Sequence, residues 1–591
     1  MRHLRKLLRF ATPYSGRSLL ALLLLTTLVF LDLSIPRLIQ QLIDHGILQH
    51  DRGVVLRTSA LMLGISFLSV FIAVGNNHLS VSVGESVGRD LRDAIFVKIQ
   101  SFSSGNLDRQ NTGQLLVRLT SDTSAIQRVL QVSLRIGTRA PLLMLGSLVL
   151  MVSTSPALAL TMLPLLLVTT LVIVFFLVKM EPMFRGVQKE LDRLNTVLQE
   201  NVAGIRLVKA FVRDRHERLR FERSNEAYTS VSEQVMQFAS LMSPVLTMCV
   251  NGGMVIVIWA GGLQAAHGTL SSGQIVAFIN YLLTTMAPLL MMTILSNVWA
   301  SALASAKRID DVLEVVPEIR DAPDALALSA ESPPRIAFEN VTFAYSGKPR
   351  DAVLKNLTFS AEPGQTVAIL GATGAGKSTL VKLIPRFYDV TRGRVLLGDR
   401  DVRTLTQDSL LAQIGVVPQE SVLFSGTVRD NIRYGRPSAS DEEVVRAAEA
   451  AQAHDFISRS ADGYDSRVEQ RGQNFSGGQR QRIAIARALL LKPLILILDD
   501  STSAVDVETE TRIQRALAAQ HPNQTRIVVA QRISTVLTAD RILVIDEGEL
   551  VADGRHAELM RTSSVYREIY ASQLGAEPSA PSAARLATES P

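Results

Sequence analysis

Cysteine, charge and aromatic side chains are all scarce in this sequence of 591 residues. The single cysteine, Cys249, excludes an internal disulfide, and its apolar surroundings indicate a small buried side chain rather than a reactive thiol. Only 20% of the residues are charged while 47% are hydrophobic, which is too apolar for an ordinary soluble enzyme. Basic residues do not alternate with aromatic ones as they do on surfaces that stack bases, so we expect no nucleic-acid partner.

Long apolar runs occupy the first half of the chain. A membrane-spanning helix needs about 20 mostly apolar residues. Six such segments cover approximately residues 18–43, 56–82, 127–152, 156–179, 235–263 and 272–300. Several of them are apolar on every face, which argues against buried helices of a soluble domain. The first segment is too long for a cleaved signal peptide, so we expect it to remain as an anchor.

Two long charged stretches alternate with short polar turns between these segments. Glu85–Arg128 and Lys179–Glu233 are rich in Arg and Lys, which places both in the cytoplasm together with the N-terminus. Their helical periodicity predicts that the membrane helices continue beyond the bilayer. Short helices are expected at the loop tips, at Thr112–Asp122 and Ala203–Arg213.

Asp32 is an ionisable side chain expected near the middle of the membrane. It lies about fourteen residues into the first segment, hence about 21 Å along a helix. There it should face a protein-lined cavity or pair with a neighbouring helix. Other polar residues at membrane depth could line the same cavity, although interhelical hydrogen bonding is the better explanation for each asparagine. These residues are Asn76, Asn77, His78, Asn251, Asn280 and Asn297.

The second half of the chain contains a phosphate-binding loop of the pattern G-x-x-x-x-G-K-[ST]. An apolar run at Thr366–Leu370 precedes it as a strand, and Thr379–Ile384 follows as a helix. Glycines let backbone N–H groups turn toward one anion at a helix start. Lys377 is expected to reach the β- and γ-phosphates and Ser378 to bind Mg²⁺. The residues expected to contact the nucleotide here are Gly371, Ala372, Thr373, Gly374, Ala375, Gly376, Lys377, Ser378 and Thr379.

The composition divides the chain into a membrane part, residues 1–316, and an α/β part, residues 335–574. Residues 317–334, rich in Pro, Ala, Asp and Glu, are expected to form a linker, and the Ala/Ser/Pro-rich residues 575–591 a disordered tail. Interleaved strands and helices in the α/β part predict a largely parallel sheet. The apolar run Leu494–Leu498 ends in Asp499, where a carboxylate can hold Mg²⁺ beside the phosphate loop. Ser476–Gly478 offers a second anion site at a helix start.

These motifs, taken in order, resemble those of ATP-binding cassette (ABC) proteins. The phosphate loop is followed by Gln419 in Val-Val-Pro-Gln, by Phe-Ser-Gly-Gly-Gln and by Leu-Asp499. Six membrane segments ahead of one such domain resemble an exporter-type half-transporter over roughly residues 1–570. The resemblance implies an all-α six-helix membrane domain fused to an α/β P-loop nucleotide-binding domain, with ATP and Mg²⁺ as cofactors. It also implies a dimer in which each ATP lies between one chain's phosphate loop and the other chain's Ser-Gly-Gly segment, Ser476–Gly478 in this sequence, which is called the signature loop.

The same resemblance implies roles for further residues by their position in the motifs. Tyr345 would stack on adenine, and Gln419 would sense Mg²⁺ and the γ-phosphate. The implied metal ligands are Ser378, Gln419 and Asp499. The implied signature contacts to the partner's ATP are Ser476, Gly477, Gly478 and Gln479. Ser503 and Asp506 would belong to the loop that crosses the dimer, and the two loop tips would transmit motion to the membrane.

Three departures from the family pattern fall in or near the catalytic site. The family's catalytic glutamate is Asp500 here, its switch histidine is Gln531, and its Gly-Glu-x-Gly stretch reads Glu469-Gln-Arg-Gly472. Because Asp is one methylene shorter than Glu, its carboxylate would lie about 1 Å from the usual position, and such a displacement can cost about 100-fold in rate. Gln531 carries no charge to stabilise the γ-phosphate. Both changes predict slow hydrolysis, and a tolerated conservative swap is the alternative.

The sequence therefore predicts one subunit of a heterodimeric ABC exporter, with ATP hydrolysis mainly at the site built on its partner. A second, non-identical half-transporter would supply the competent catalytic residues, and this chain would lend its intact signature loop, as the degenerate-site subunits of bacterial heterodimeric multidrug exporters do. The predicted location is the bacterial inner membrane, with the N-terminus and nucleotide-binding domain in the cytoplasm. The predicted substrate is an amphipathic drug, lipid or peptide. The alternatives are a homodimeric lipid flippase, a siderophore-type importer of the same architecture, and an ATP-gated regulatory membrane protein.

Overall fold

Two units make up the chain in this computed structural model, which describes residues 2–329, 334–520, 522–530 and 532–574. Unit 1 comprises Met1–Gln100 and Thr112–Val315, and unit 2 comprises Ser101–Asn111 and Val316–Pro591. The boundary is crossed three times, because the short segment Ser101–Asn111 belongs to unit 2 although unit 1 surrounds it in sequence.

Unit 1 is helical throughout its described residues. Its helices, together with α4 of unit 2, are α1 (Arg2–Leu7), α2 (Ser15–Gln41), α3 (Arg52–Gln100), α4 (Ser104–Asp108), α5 (Thr112–Val117), α6 (Thr123–Val132), α7 (Arg139–Thr154), α8 (Pro156–Ala203), α9 (Ile205–Ala210), α10 (Asp214–Ser240), α11 (Met242–Ala266) and α12 (Ser272–Leu313). Short 3₁₀ or π-helical turns join or extend several of them, at Leu8–Tyr14, Leu42–Ile47, Arg118–Asp122 and Ser133–Gly137.

The long helices confirm that the membrane segments continue past the bilayer. Helix α3 has 49 residues and α8 has 48, so each is more than 70 Å long at about 1.5 Å per residue. A hydrocarbon core is about 30 Å thick. Among the described residues, five helical stretches are long and apolar enough to cross it: Arg2–Ile47, Arg52–Gln100, Thr112–Thr154, Pro156–Ala203 and Asp214–Ala266. A sixth span, which would lie in α12, stays a prediction.

The polar side chains inside unit 1 mostly satisfy backbone groups of the helices. The Asn76 amide donates to Ala21 O on α2 at 2.8 Å and to Leu134 O at 3.3 Å, so it joins three helical segments. The Asn280 amide donates to Val276 O within α12. Such bonds are what interhelical or local packing of an amide in an apolar bundle requires, and they favour the packing interpretation for both residues.

The first loop tip lies about ten residues earlier than the sequence pattern suggested. Thr112–Asp122 is helical, as expected, but it belongs to unit 1. The segment that packs within unit 2 is Ser101–Asn111, where Ser103 and Asn106 form a capping box at the start of α4. The expectation followed helical periodicity, which continues through Thr112–Asp122 and gives no sign of the break between α3 and α4. At the second tip, α9 (Ile205–Ala210) forms within the predicted range.

Unit 2 contains twelve strands and, besides α4, ten helices among its described residues. The strands are β1 (Ile336–Phe343), β2 (Leu354–Ala361), β3 (Thr366–Leu370), β4 (Arg392–Leu397), β5 (Arg400–Asp401), β6 (Ile414–Val417), β7 (Gly426–Thr427), β8 (Arg467–Val468), β9 (Ile495–Asp499), β10 (Thr525–Val529), β11 (Arg541–Asp546) and β12 (Glu549–Gly554). The helices are α13 (Lys377–Leu383), α14 (Gln407–Ala412), α15 (Val428–Arg433), α16 (Asp441–Ala450), α17 (His454–Ser458), α18 (Gly477–Leu490), α19 (Val507–Gln520), α20 (Ile533–Val536), α21 (His556–Thr562) and α22 (Ser564–Leu574).

The central sheet of unit 2 confirms the predicted parallel topology. Its six strands run in the order β12-β11-β3-β10-β9-β6, and every pairing is parallel except that of β11 with β12. Strands β3, β9 and β10 are almost fully buried, as expected for continuous apolar runs covered on both faces. A second, antiparallel sheet of order β2-β1-β4-β5 packs beside it and was not predicted.

The described part of the predicted linker belongs to unit 2 and packs within it. Leu326 forms an isolated bridge with Leu405, and the Leu328 N–H donates to Ser409 Oγ at 2.9 Å. Asp321 Oδ1 accepts from the Gln407 N–H at 2.9 Å. Residues 330–333 and the tail 575–591 lie outside the described residues, so the predictions for them are not tested.

Candidate nucleotide-binding site

The phosphate loop joins the buried strand β3 to helix α13. Gly376 has φ +98° immediately before Lys377, and a Cβ there would lie 2.7 Å from Leu354 Cδ2. At Gly371 a Cβ would collide with Ile545 O on the neighbouring strand β11. Side chains are therefore excluded at both ends of the loop for steric reasons, which fits a loop whose backbone N–H groups approach an anion closely.

Lys377 is held inside this loop. Only 8% of the residue is exposed, and its Nζ donates to Gly371 O and to Ala372 O at 2.8 Å each. Burial lowers its pKa, while the carboxylates of Asp499 and Asp500 oppose that shift. The ammonium is thus placed beside the loop and close to two acids, where it can neutralise phosphate oxygens.

Two adjacent carboxylates follow strand β9 at its carboxyl end. Asp499 is 6% and Asp500 9% exposed, and Asp499 Oδ1 accepts from Ser378 Oγ at 2.7 Å. Burial raises the pKa of Asp499, and burial together with the neighbouring Asp499 raises that of Asp500. Two buried acids and a serine hydroxyl form an oxygen-rich set that a divalent cation would stabilise. These residues fit Mg²⁺.

Gln419 follows strand β6 and reaches the same acids from the other side. Its Nε2 lies 3.5 Å from Asp500 Oδ2, at the limit of hydrogen-bond distance. Asp500 itself has φ +49°, a left-handed conformation that Asp tolerates better than most residues. The structure thus brings together Lys377, Ser378 and Gln419 with both acids, as the motifs predicted.

Tyr345 lies beside the first turn of α13. The residue is 46% exposed, and its hydroxyl is 3.0 Å from Thr379 Oγ1. It meets Phe343 and Tyr388 edge to face, with ring centroids 4.9 and 5.3 Å away. A half-exposed ring fixed by two other aromatic rings is well placed to stack on a base.

Sequence reasoning missed the residues that close this end of the site. Tyr388 is buried beside Tyr345, and its hydroxyl donates to Asp108 at the end of α4. Burial and then Asp108 raise the pKa of Tyr388. Asn106 fixes α4 by donating to Val316 O and accepting from the Glu318 N–H. No motif marks these contacts, because they join parts of the chain more than two hundred residues apart.

The signature residues form a separate cluster within unit 2. Ser476 caps α18, since its Oγ accepts from the Gln479 N–H and the Gln479 side chain accepts from the Ser476 N–H. A Cβ at Gly478 would lie 2.7 Å from Ala504 O. Among the described residues, no hydrogen bond joins Ser476–Gln479 to the phosphate loop.

The loop between the acids and α19 links to the signature helix. Gln481 on α18 donates to Ser503 Oγ and accepts from the Ala504 N–H. Asp506 caps α19 by accepting from the Thr509 N–H at 2.8 Å, a bond that lowers the pKa of Asp506. Gln531, expected at the switch position, lies outside the described residues.

Comparison with known proteins identifies the family. Residues 18–289 match the family model described as the ABC transporter transmembrane region, and residues 354–503 match the model described as ABC transporter. The chain is 39% identical over 574 residues to YfiB of Bacillus subtilis (strain 168), an uncharacterized ABC transporter ATP-binding protein, covering 97% of this chain and 99% of that protein. This chain belongs to the ABC transporter family.

Two further relatives of this ABC transporter have more specific descriptions. It is 33% identical to an ATP-dependent lipid A-core flippase of Syntrophus aciditrophicus (strain SB), over 96% of this chain and 94% of the flippase. It also resembles the solved structure of a bacterial Atm1-family ABC exporter with ATP bound, with a TM-score of 0.79, 28% identity and coverage of 96% and 99% of the two chains. The chain is therefore a membrane protein with the ABC exporter fold, a helical transmembrane domain fused to an ATPase domain.

Proposed function

We propose that this ABC transporter is one half of a heterodimeric exporter, and that its own ATP site hydrolyses slowly while its signature loop serves the partner's site. The observation that carries the proposal is Asp500, a carboxylate that follows Asp499 where the family resemblance implies glutamate. It is buried, it has φ +49°, and its closest approach to Gln419 Nε2 is 3.5 Å.

The length of this side chain limits hydrolysis. The Asp500 carboxylate cannot move toward the attacking water unless the end of β9 moves with it, because the Asp500 N–H donates to Val529 O on the neighbouring strand. A displacement of about 1 Å from the attacking water can reduce the rate about 100-fold, which is about 2.7 kcal/mol of barrier.

Nucleotide binding itself is retained. Lys377 and the glycine-bounded loop would hold the phosphates, while Ser378, Gln419 and Asp499 would hold Mg²⁺, which supplies charge neutralisation at the β- and γ-oxygens when bound. Tyr345 would support the adenine. The remaining nucleotide contacts would come from the backbone of the loop, including Ala372, Thr373, Gly374, Ala375 and Thr379.

The signature loop is complete and suited to a second chain. Ser476 caps the fourteen-residue helix α18, and Gly477 and Gly478 leave its first N–H groups uncovered by side chains. A helix start of this kind favours an anion. Since these residues make no hydrogen bond to the phosphate loop of their own chain among the described residues, we assign them to the ATP of the partner.

An exposed apolar cluster at the second loop tip also favours a partner chain. Leu207 on α9 and the following Phe211 and Val212 are all exposed, although the loop around them is strongly charged. Val212 has φ +52°, a strained conformation for a β-branched residue. Such a cluster gains stability when a second surface covers it, and we propose that the partner's nucleotide-binding unit does so.

The transport proposal follows from the family and the membrane unit. Six spanning helices in each half, with the N-terminus and the nucleotide-binding unit in the cytoplasm of a bacterial inner membrane, would enclose a pathway for an amphipathic drug, lipid or peptide. ATP binding would bring the two nucleotide-binding units together and turn that pathway outward. Hydrolysis at the partner-based site would reset it.

A homodimeric lipid flippase is the second candidate, and the 33% identity to a lipid A-core flippase favours it. Purification of this chain alone in lipid nanodiscs separates the two proposals. The heterodimer predicts slow phosphate release from the lone chain and faster release after a non-identical half-transporter, co-purified and identified by mass, is added. Rapid release by the lone chain, abolished by Lys377→Ala, would instead establish the homodimer. ATP-dependent flux of a substrate in proteoliposomes tests transport itself.

A further inference from the structure

A cavity inside unit 1 has a composition that defines a class of ligand. It measures about 870 Å³ and is lined by residues of α2, α3, α12 and the start of α7 with the turn before it. This volume is in the range of about 300–1,000 Å³ that holds drug-sized ligands. Most of the lining side chains are aliphatic, among them Leu25, Leu28 and Leu143.

Three charged side chains interrupt this apolar lining. Arg139 Nη2 lies 2.8 Å from Asp32 Oδ2, so the only carboxylate among the described lining residues is already paired. Arg135, one helical turn before Arg139, also lines the cavity. It makes no hydrogen bond or ion pair with any residue that the structure describes. Two arginines against one carboxylate leave one positive charge uncompensated.

These groups lie within predicted membrane spans, where an uncompensated charge is costly. Asp32 and Arg139, the first residue of α7, lie near the middle of the first and third predicted spans, and Asn77 lies toward the end of the second. Charged side chains in such segments are costly and generally face a cavity or a partner. The Asp32–Arg139 pair satisfies this requirement by itself. Packing needs no second arginine, and the Arg139 Nε atom is buried without a hydrogen-bond partner among the described residues.

We propose that this cavity binds an amphipathic anion, with a phosphate or carboxylate headgroup at Arg135 and Arg139 and an alkyl body along the leucines. The proposal rests on the proposed transport function, because it names the class of substrate. A guanidinium donates to such oxygens in a bidentate manner. Asp32 orients Arg139 but also competes with the ligand for its donors, so it sets how tightly an anion is held.

Ligand binding to the full chain tests the proposal. The protein is placed in phosphatidylcholine nanodiscs, and the binding of radiolabelled dodecyl phosphate is compared with that of dodecyltrimethylammonium, which has the same chain and the opposite charge. We expect the phosphate to bind at least about tenfold more tightly, as one charge-assisted hydrogen bond allows. Competition with phosphatidate distinguishes a membrane lipid from a soluble amphiphile as the source of the anion, and either source supports the proposal.

The variants separate ligand binding from packing. Arg135→Gln should weaken dodecyl phosphate binding about tenfold and leave thermal unfolding unchanged, because it breaks no described contact. Asp32→Asn should strengthen it several-fold by freeing Arg139. A purely structural pair predicts the opposite for Asp32→Asn, a loss of both binding and stability. Arg128→Gln, an exposed arginine on α6 outside the cavity lining, is the matched control and should change neither.

Equal affinity for the two amphiphiles, or an Arg135→Gln variant that binds dodecyl phosphate as well as the wild type, would overturn the proposal. ATP-dependent flux is measured separately in proteoliposomes. Flux that shows no preference for anions contradicts this inference and leaves the proposed transport function standing. Absence of ATP-dependent flux for every amphiphile defeats the proposed function, whereas the binding comparison still decides the charge preference of the cavity.

Discussion

Replacing Asp500 with glutamate should increase ATP turnover at the site that this chain builds around Lys377. The added methylene moves the carboxylate forward by about one carbon–carbon bond, roughly 1.5 Å, from a position where Gln419 Nε2 is 3.5 Å away. If placement of the carboxylate limits hydrolysis, removing a displacement of about 1 Å restores up to about 100-fold. Gln531 is unchanged in this variant, so we expect a gain of about tenfold, with the remainder appearing when Gln531→His is added.

The same substitution should lower stability slightly. Asp500 has φ +49°, and a longer side chain loses the local hydrogen bonding that lets Asp adopt this conformation, at a cost of about 1 kcal/mol. For a unit of this size that cost corresponds to a decrease in Tm of about 2–4 °C. Activity and stability therefore move in opposite directions, which a nonspecific improvement in folding would not produce.

Phosphate release by the assembled transporter in nanodiscs measures the gain, and calorimetry measures the Tm. Asp500→Asn is the matched control, because it keeps the length of Asp and removes the charge, so its turnover should be at or below that of the wild type. Lys377→Ala gives the background without nucleotide. An Asp500→Glu variant that binds ATP normally and hydrolyses it no faster than the wild type would refute the reasoning.

Three other substitutions test separate parts of the ATPase unit. Gly478→Ala places a Cβ 2.7 Å from Ala504 O. It should therefore abolish ATP-dependent dimerisation, while a fluorescent ATP analogue still binds the isolated chain. Unchanged dimerisation would contradict the assigned role of the signature loop. Ser378→Ala should raise the Mg²⁺ concentration needed for half-maximal ATP binding at least about tenfold, and an unchanged titration would remove this hydroxyl from the metal site. Tyr388→Phe removes the hydrogen bond from the buried Tyr388 to the exposed carboxylate of Asp108 and should destabilise unit 2 by about 0.5–1.5 kcal/mol, whereas no change in thermal unfolding would show that water replaces the bond.

The ATP site was predictable from sequence because its parts are local. The strand β3 has the predicted bounds, Thr366–Leu370, since a short apolar run before a glycine-rich loop has few other conformations in an α/β unit. Asp499 was predictable for the same reason, as the last residue of a fully buried strand. Once both strands are parallel neighbours of β10, their carboxyl ends meet at one edge, and Ser378 necessarily comes close to Asp499.

The missed features depend on contacts between distant residues. Arg139 lies within a predicted apolar segment, and only the packing of α7 against α2 shows that it pairs with Asp32, 107 residues earlier. Tyr388 belongs to no motif whose pattern signals its bond to α4. The β1–β2 and β4–β5 pairings of the antiparallel sheet are local, whereas β1 and β4 pair across the phosphate loop and α13, a separation that removes any short-range signal for one sheet.

The position of Ser101–Asn111 within unit 2 constrains the order of biosynthesis. This segment leaves the ribosome before most of the membrane helices exist, and the tyrosine that bonds to its Asp108 follows 280 residues later. Domains tend to fold from the N-terminus as they are made. Unit 2 is an exception, because its helix α4 is synthesised between the first two predicted spans and the third, long before the rest of the unit. A truncated chain that starts at Val316 would lack that helix, and Tyr388 would face water instead of Asp108. Unit 2 is thus complete only when a segment made between the first two predicted spans and the third meets residues made 280 positions later.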